Sequence, residues 1–461
     1  MYNNRYHNLK YIIALLLVAV VASGGATAQN GINSPYSQYG IGQSNLPFNV
    51  PAFAALGGAV ITRTSTNTIN PFNPASYAAI AKETFVFDMG LSIEMSTLRN
   101  KTNSLYDADG NLGYISLGFP LTKWWKVGMG VMPLTDISYQ SVQTAHVADA
   151  AAGMPEGYNV RTVYEGNGGV AQFFVGSGFT LLDGKGGKRP ELRAGFNINY
   201  LNGMLTRGIT YDFPGNDSTY MMDSRKQKDT YLSNLTVDLG LQFDMPVGTE
   251  YMLGLGLTCK LPRTMSVTDD AKVYTFVTSA GTEYIRDTIF PMSGVSSEYE
   301  STLQQGLGLG FGVSMQRFNH WLVALDGSWA PWSGIKYTED SEHNIFGTSP
   351  LIYDDNYQVS FGVQRLGDKN SSRYMRRVTY SAGFHYEGGK LQLSIGDNQY
   401  SLNEWGLGAG MALPMRKGRS VLNLTVAYSS FGTADLLRRN VVSFGISIGS
   451  CESWFVKRKY N

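Results

Sequence analysis

The stretch "TFVFDMGLSIEMS", residues 84–96, decides the fold class because its side chains alternate strictly between apolar and polar. Phe87 and Ile93 belong to the apolar set, whereas Asp88 and Ser92 belong to the polar set. Successive side chains of a β-strand point to opposite faces, so this pattern predicts a strand with one apolar and one polar face. The same alternation returns at residues 237–245, 251–261, 306–315, 405–413 and 441–449.

Alternation alone fits either a secreted β-sandwich or a membrane barrel. A sandwich covers its apolar face with a second sheet and turns its polar face to water. The polar face here is rich in glycine, which weakens a solvated strand but suits a lumen that must hold another part of the chain. The sequence therefore predicts an all-β fold, a transmembrane antiparallel β-barrel, with a secreted β protein as the alternative. The glycines on this face are Gly254, Gly256, Gly306, Gly308, Gly310, Gly312, Gly406, Gly408 and Gly410.

The first residues are typical of a secretory signal. Arg5 and Lys10 precede the apolar run 11–22, and the small residues of "SGGATAQN" follow it. A run of about a dozen residues is too short to cross roughly 30 Å of hydrocarbon as a helix. We predict a signal peptide over residues 1–28, cleavage near Ala28, and a mature protein in the outer membrane of a Gram-negative bacterium, in contact with its lipid.

Counting the alternating segments gives about fourteen strands, and their connections differ in length. The connections around residues 121–126, 246–250 and 414–420 are short, whereas residues 140–169, 208–228, 264–299 and 333–355 are predicted to be long loops. Outer-membrane barrels have short periplasmic turns and long external loops. The predicted barrel spans residues 83–449, followed by a periplasmic tail over 450–461. The predicted strands are 84–97, 112–121, 125–139, 170–181, 191–207, 229–245, 250–263, 300–316, 320–332, 356–366, 377–387, 403–413, 419–430 and 439–449.

Residues 29–82 lack a sustained strand pattern and precede the first strand. Their small residues could lie against a glycine-lined wall, and each Asn-Pro pair stiffens the chain because proline fixes φ and restricts the residue before it. We predict a hatch inside the lumen. Its candidate motif residues are Gly57, Gly58, Asn70, Asn73, Pro74 and Ala75.

A signal peptide, the segment "ALGGAVITRTSTNTINPFNPASYA" at residues 55–78 and then fourteen strands resemble the FadL-type transporters of long-chain fatty acids and hydrocarbons. Those proteins are outer-membrane barrels with a hatch that contains an Asn-Pro-Ala motif, matched here by Asn73, Pro74 and Ala75. "NSPYSQYGIG" and "FPLTKWWKVGMGVMPL" resemble a divergent branch of that family.

The resemblance implies passive, porin-like uptake of small hydrophobic molecules, such as long-chain fatty acids, without enzymatic activity or a cofactor. An apolar groove gains about 0.8 kcal/mol per buried methylene of a long chain. Candidate groove residues lie in the predicted long loops, although packing within a folded external loop is the favoured explanation for any single one of them. They are Tyr211, Phe213, Met221, Met222, Tyr274, Phe276 and Phe290.

A second reading is an accessory barrel that docks on a larger outer-membrane complex. Some FadL-like barrels are noncatalytic partners of type IX secretion translocons, so a secretion-machinery partner is the alternative expectation. The tail "SCESWFVKRKYN" fits either a partner contact or a position at the membrane interface.

Other chemistry has weak support in the sequence. The 37 basic and 36 acidic residues are balanced, which gives no indication of a nucleic-acid partner. The histidines lack a metal-ligand spacing. The motif "DADGN", residues 107–111, is predicted to be a turn in the first external loop, because it lacks the remaining ligands of a calcium loop.

Overall fold

The computed structural model describes residues 35–38, 40–44, 47–65, 68–149, 154–214, 222–279, 281–291, 296–331, 337–338, 345–346, 351–395, 398–415 and 419–453. The predicted signal peptide and its cleavage near Ala28, the candidate Met221 and tail residues 454–461 lie outside these ranges.

The described chain contains nineteen strands and four short helices. The helices are Pro35–Gln38, Pro51–Ala54, Pro74–Ala79 and Tyr374–Arg377. Among the described residues, no helix is both long and apolar enough to cross a membrane. The strands are β1 (Thr84–Arg99), β2 (Ser104–Pro120), β3 (Trp125–Asp149), β4 (Met154–Leu182), β5 (Glu191–Asp212), β6 (Asp223–Val247), β7 (Tyr251–Lys260), β8 (Arg263–Ser279), β9 (Thr282–Phe290), β10 (Glu298–Gln305), β11 (Gly308–Arg317), β12 (Trp321–Ala330), β13 (Tyr337–Thr338), β14 (Leu351–Tyr353), β15 (Asn356–Arg365), β16 (Thr379–Ile395), β17 (Asn398–Met415), β18 (Ser420–Gly432) and β19 (Arg438–Ser453).

Fourteen strands form the closed wall of an antiparallel barrel, which confirms the predicted fold class and strand number. They are β1 to β7, β11, β12 and β15 to β19, and each pairs with the next in this order. The pairing of β19 with β1, from Thr84↔Ser453 to Arg99↔Arg438, closes the wall into a barrel. The chain enters β1 at the end of the barrel where a short turn joins β2 to β3, and we call this end the short-turn end. At the opposite end strands such as β3 and β4 continue beyond the wall, and we call it the extended end.

The two faces of the wall follow the alternation expected from the sequence. Leu91, Ile93 and Met95 are about half exposed on the outer face, whereas Asp88 and Ser92 point inward and are buried. The apolar band on the outside meets the hydrocarbon of a bilayer, which only a closed barrel or a helix can span.

The extended end differs from the prediction, because the segments expected as long loops contain strands. β3 and β4 pair continuously through the predicted loop 140–169, and β8, β9 and β10 occupy the predicted loop 264–299. A strand needs only about ten residues to cross a bilayer. The additional length is stabilised by its own core, which consists of Ile137, Tyr139, Val170, Leu201, Leu205, Leu232, Met265, Val267 and Leu303.

The predicted strand 300–316 is also wrong as a single element. β10 pairs with β8 outside the wall, whereas β11 pairs with β7 within it, and the chain leaves strand geometry at residues 306–307. Alternation continued across this break, so the pattern alone gave no sign of it.

Candidate functional site

The amino-terminal segment, residues 35–82 as described above, packs inside the barrel against inward-facing glycines of the wall. A Cβ added at any of these glycines would meet atoms of the segment, so the absence of a side chain sets the fit. Residues of the segment that fill these positions include Pro51, Ala54, Leu56, Ile61 and Tyr77. The glycines are Gly90, Gly113, Gly118, Gly128, Gly178, Gly195, Gly240, Gly256, Gly310, Gly312, Gly362, Gly383, Gly408, Gly410 and Gly445.

Buried polar side chains of the wall bond to the backbone of the segment. Asp326 on β12 accepts the N–H groups of Val60 and Ile61 through Oδ2, at 2.6 and 2.7 Å. On β6, Gln242 donates Nε2 to the Ile61 carbonyl at 2.9 Å. Hydrogen bonds that pair buried polar groups contribute about 0.5–1.5 kcal/mol each, so these three contacts together hold Val60 and Ile61 in place.

Two further wall donors hold the segment at other places. Lys126 on β3 donates Nζ to the Ala78 carbonyl at 2.6 Å, and Thr425 on β18 donates Oγ1 to the Pro51 carbonyl at 2.7 Å. Through the glycine positions and these bonds, the segment contacts every one of the fourteen wall strands.

The two Asn-Pro pairs tie the segment to itself. Asn70 donates Nδ2 to the Val60 carbonyl at 2.7 Å, and Asn73 donates Nδ2 to the Ile61 carbonyl at 2.7 Å. Both asparagines are at most 2 % exposed, so an unpaired amide here would be costly. The two Asn-Pro pairs therefore connect the part of the segment near residue 60 to the part near residue 72, where the chain turns back.

The remaining predicted motif residues also lie in this packing. Asn73 caps the helix Pro74–Ala79 by accepting the N–H of Ala75, and proline at the first helical position fits because its missing donor is not needed there. Gly57, with φ of 62°, lies against the backbone of Phe384, and Gly58, with φ of 80°, adopts the same left-handed conformation.

Two titratable groups of the segment keep their ordinary charge near neutral pH. Burial lowers the pKa of Arg63 to about 10, and burial raises the pKa of Tyr77. Neither pKa shift brings a titration close to pH 7, so Arg63 stays positively charged and Tyr77 stays neutral at that pH.

The seam between β2 and β3 is the incompletely paired part of the wall. These strands pair only from Ile115↔Val131 to Pro120↔Lys126. Beyond that level, β2 continues to Ser104 beside β1, and β3 continues to Asp149 beside β4.

Backbone irregularities occur in both strands at the level where their pairing ends. Gly113 is an extra residue in β2, between the register pairs Gly90↔Tyr114 and Leu91↔Leu112. In β3 the register with β4 shifts between Pro133 and Thr135, and Pro133 has no N–H to offer a neighbour. A bulge bends its strand and interrupts the ladder, which accounts for the separation of β2 from β3.

A cavity of about 470 Å³ lies at this seam, and residues from both faces of the wall line it. Glu94 and Asp109, paired in register, face the lumen; Leu112, paired with the lipid-facing Leu91, faces outward. Ala171 and Asn202, which pair with each other, also belong to the outer face. Residues of both the lumen face and the lipid face therefore line the cavity in the gap between β2 and β3.

Part of the amino-terminal segment covers the cavity on the lumen side. Gln43 and Asp136 exchange two backbone hydrogen bonds of 3.0 Å, so Gln43 occupies the edge of β3 that β2 has left. Asn49 also lines the cavity and donates Nδ2 to the Pro133 carbonyl at 3.4 Å.

The candidate groove residues predicted from the sequence lie elsewhere. Arg225 connects two of them, because it donates to the Tyr274 hydroxyl at 3.4 Å and lies over the Phe276 ring at 5.2 Å. Phe276 is only 3 % exposed. None of the described candidates, Tyr211, Phe213, Met222, Tyr274, Phe276 and Phe290, lines the cavity at the seam.

The sequence reading missed the lining of this cavity. The motif "DADGN" was predicted as a turn, but residues 107–111 belong to β2, and Asp107, Asp109 and Asn111 line the cavity. Among the described residues, no group of three or more His, Cys, Asp or Glu side chains is placed to hold a metal ion. Pro133 within a strand was the one available signal of the seam.

Comparison with known proteins agrees with this architecture. The CymD monoaromatic hydrocarbon channel aligns over 90 % of this chain and 100 % of its own, with a TM-score of 0.50 and 13 % identity. A Pseudomonas aeruginosa FadL homologue aligns over 88 % of this chain and 98 % of its own, with a TM-score of 0.49 and 12 % identity. The closed fourteen-stranded barrel of this chain therefore has the fold of the CymD channel.

The family follows from the sequence. Residues 9–461 match the family model described as BamG, and the chain belongs to the BamG family. A search of curated protein sequences finds no significant match.

Proposed function

We propose that this barrel lies in the outer membrane, with its short-turn end in the periplasm, and passively admits small hydrophobic molecules. The amino-terminal segment acts as the hatch that blocks the straight path. The cavity at the β2–β3 seam offers a sideways path from the lumen into the lipid. The single observation that carries this proposal is the lining of one cavity by both lumen-facing and lipid-facing residues.

An apolar molecule is more stable in hydrocarbon than in the packed lumen of the barrel. Its straight path meets the packed segment, whose apolar residues, such as Phe53 and Tyr77, form a buried cluster with wall residues such as Tyr114 and Phe174. At the seam the wall has no ladder of hydrogen bonds to break, and hydrocarbon lies directly outside. Release toward lipid is favourable because apolar surface then stays out of water.

The proposal is tested by narrowing the outer mouth of the cavity. Ala171→Trp adds a large side chain at the seam on the lipid face, and Leu257→Trp adds the same ring at a lipid-facing position, half exposed and away from the seam. Initial uptake of the neutral dye Nile red is measured in a Gram-negative host expressing equal amounts of folded barrel.

Ala171→Trp should slow uptake roughly tenfold, a change of about 1.4 kcal/mol in the effective barrier. Leu257→Trp should leave it unchanged. Equal rates in parent and both variants would contradict passage through the seam. Long-chain fatty acids are the substrate class expected from the resemblance, and the head-group preference proposed below would limit them to their protonated, uncharged form.

A second candidate, an accessory barrel on a larger complex, has one observation in its favour. On β9, outside the wall, Tyr284, Ile285 and Ile289 are more than half exposed. Exposed apolar side chains on a strand favour contact with another protein. Purification in mild detergent tests this: a stoichiometric large partner, such as a secretion translocon, favours docking, whereas a lone barrel with bound lipid favours uptake.

A further inference from the structure

The cavity at the β2–β3 seam has two chemically different sides. The side formed by β1, β2 and β19 carries Glu94, Asp107, Asp109 and Arg439. The side formed by β3 and β4 carries mainly apolar side chains, with Asp136 as its one carboxylate, and Leu112 of β2 adds another apolar side chain at the mouth. These apolar lining residues are Leu112, Val131, Met132, Leu134, Val170 and Ala171.

The charges that line the cavity are mostly negative. Its carboxylates are those of Glu94, Asp107, Asp109 and Asp136, and its single guanidinium is that of Arg439, so formal negative charges are in excess by three. The separation of β2 from β3 leaves these groups beside a lipid environment, where charge interactions are poorly screened. An anionic group entering here would meet a net repulsion.

Arg439 supplies an independent sign of a ligand. Arg439 is only 5 % exposed, and its Nη2 lies 3.5 Å from Glu94 Oε2. Its Nε is buried and has no hydrogen-bond partner among the described residues. Buried polar atoms are nearly always paired, so this donor indicates a site that an incoming hydrogen-bonding group completes.

We propose that the cavity selects amphiphiles that combine an apolar chain with an uncharged or cationic head group, and that it disfavours ionised carboxylates. This inference rests on the proposed uptake function. The chain lies against the β3–β4 side and reaches lipid past Leu112, while an amine or hydroxyl head lies between Asp107, Asp109 and Arg439. A hydroxyl or a neutral amine can both accept from Arg439 and donate to a carboxylate, whereas an ammonium group only donates, to the carboxylates of Asp107 and Asp109.

The test compares three probes with the same twelve-carbon chain: dodecylamine, dodecanol and dodecanoate. Native mass spectrometry of the full barrel in mild detergent, with each probe at equal concentration, measures the fraction of barrels carrying one ligand. Dodecylamine and dodecanol should bind, and dodecanoate should bind roughly tenfold more weakly than dodecylamine.

A matched pair of variants assigns the selectivity to the acidic side. Asp107→Asn combined with Asp109→Asn keeps the size of both side chains and removes two negative charges, and should reduce the preference for amine over carboxylate roughly tenfold. Asp435→Asn removes a carboxylate that is exposed, pairs with Lys101, and lies away from the cavity, and should change nothing. Heat-modifiable migration in gels confirms that each variant is folded.

The outcomes separate the two proposals. Dodecanoate binding as tightly as dodecylamine, or an unchanged preference in the Asp107 and Asp109 variant, overturns the head-group inference while uptake of apolar chains stands if dodecanol binds. Failure of all three probes to bind removes the proposed function and the inference together.

Discussion

The same wall is sealed in one region and open in another. Where the wall packs against the amino-terminal segment, inward-facing glycines and buried polar side chains bring the wall into contact with the backbone of that segment. At the β2–β3 seam, the inward positions carry acidic side chains such as Glu94 and Asp109, and the strands separate. The two-residue alternation runs through both regions except at Gly113 and beside Pro133.

The difference shows that alternation sets the faces of the wall, whereas two other features decide whether it is closed. Side-chain size decides the fit to the segment, because glycine alone admits a backbone at contact distance. Backbone regularity decides whether neighbouring strands pair, because Gly113 and Pro133 interrupt the ladders beside the gap.

The largest expected effect comes from removing the contents of the sealed region. A mature chain lacking residues 29–82 should still form the wall, since outside the β2–β3 seam its strands pair with one another. Its glycine-lined lumen should then conduct ions in planar bilayers, whereas the parent should be nearly silent. A folded deletion variant as tight as the parent would show that the segment is not a plug.

The next prediction compares two adjacent residues of β6, one facing lipid and one contacting the amino-terminal segment. Leu241 is 43 % exposed on the lipid face, and an arginine there should cost roughly 2–4 kcal/mol and reduce assembly into folded barrel. Gln242→Arg should assemble but leak ions, because Gln242 is 1 % exposed and bonds to Ile61. Folded yield and conductance of both variants are measured together.

This pair revises an expectation based on alternation alone, which would make any lumen position tolerant of charge. Gln242 is buried under the amino-terminal segment, so an arginine there should disturb the packing of that segment and not the assembly of the wall. Equal assembly yields for the two variants would contradict the assignment of faces.

A smaller effect should follow from adding one methyl group to a sealed position. A Cβ at Gly408 would collide with the carbonyl of Ala54, so Gly408→Ala should destabilise the packing by about 1–3 kcal/mol and cause partial leakage. At Gly327 the space is open, and Gly327→Ala should have an effect within about 0.5 kcal/mol. Thermal unfolding and conductance compare the two; indistinguishable results would contradict the role of glycine in the fit.

The smallest effect is expected from the turn that contains the two Asn-Pro pairs. Pro71→Ala combined with Pro74→Ala restores backbone freedom, which is worth about 0.4–1 kcal/mol per site. The asparagine bonds to Val60 and Ile61 remain. Leakage should rise slightly in bilayer recordings, well below that of the deletion variant, and leakage equal to the deletion would show that the prolines alone hold the segment.

The sequence indicated the parts of this molecule that depend on local pattern. The alternation over residues 84–96 gave the lipid face at Leu91, Ile93 and Met95, and the strand count gave the closed wall. It did not indicate that residues 107–111 form a strand, because a short polar run with glycine looks like a turn unless the pairing with β1 is known. The seam was missed for the same reason: whether β2 pairs with β3 depends on contacts between distant residues.

The most direct test of the account asks whether the lumen side of the seam touches lipid. Bimane is attached to cysteine at Asn111, an inward-facing cavity position, in a chain whose native Cys259 and Cys451 are replaced by serine. Inward-facing Lys260 and outward-facing Leu257, also labelled as cysteines, are the controls. In bilayers with nitroxide-labelled acyl chains, quenching at Asn111 should approach that at Leu257 and exceed that at Lys260. Quenching at Asn111 as low as at Lys260 would contradict a lateral opening between β2 and β3.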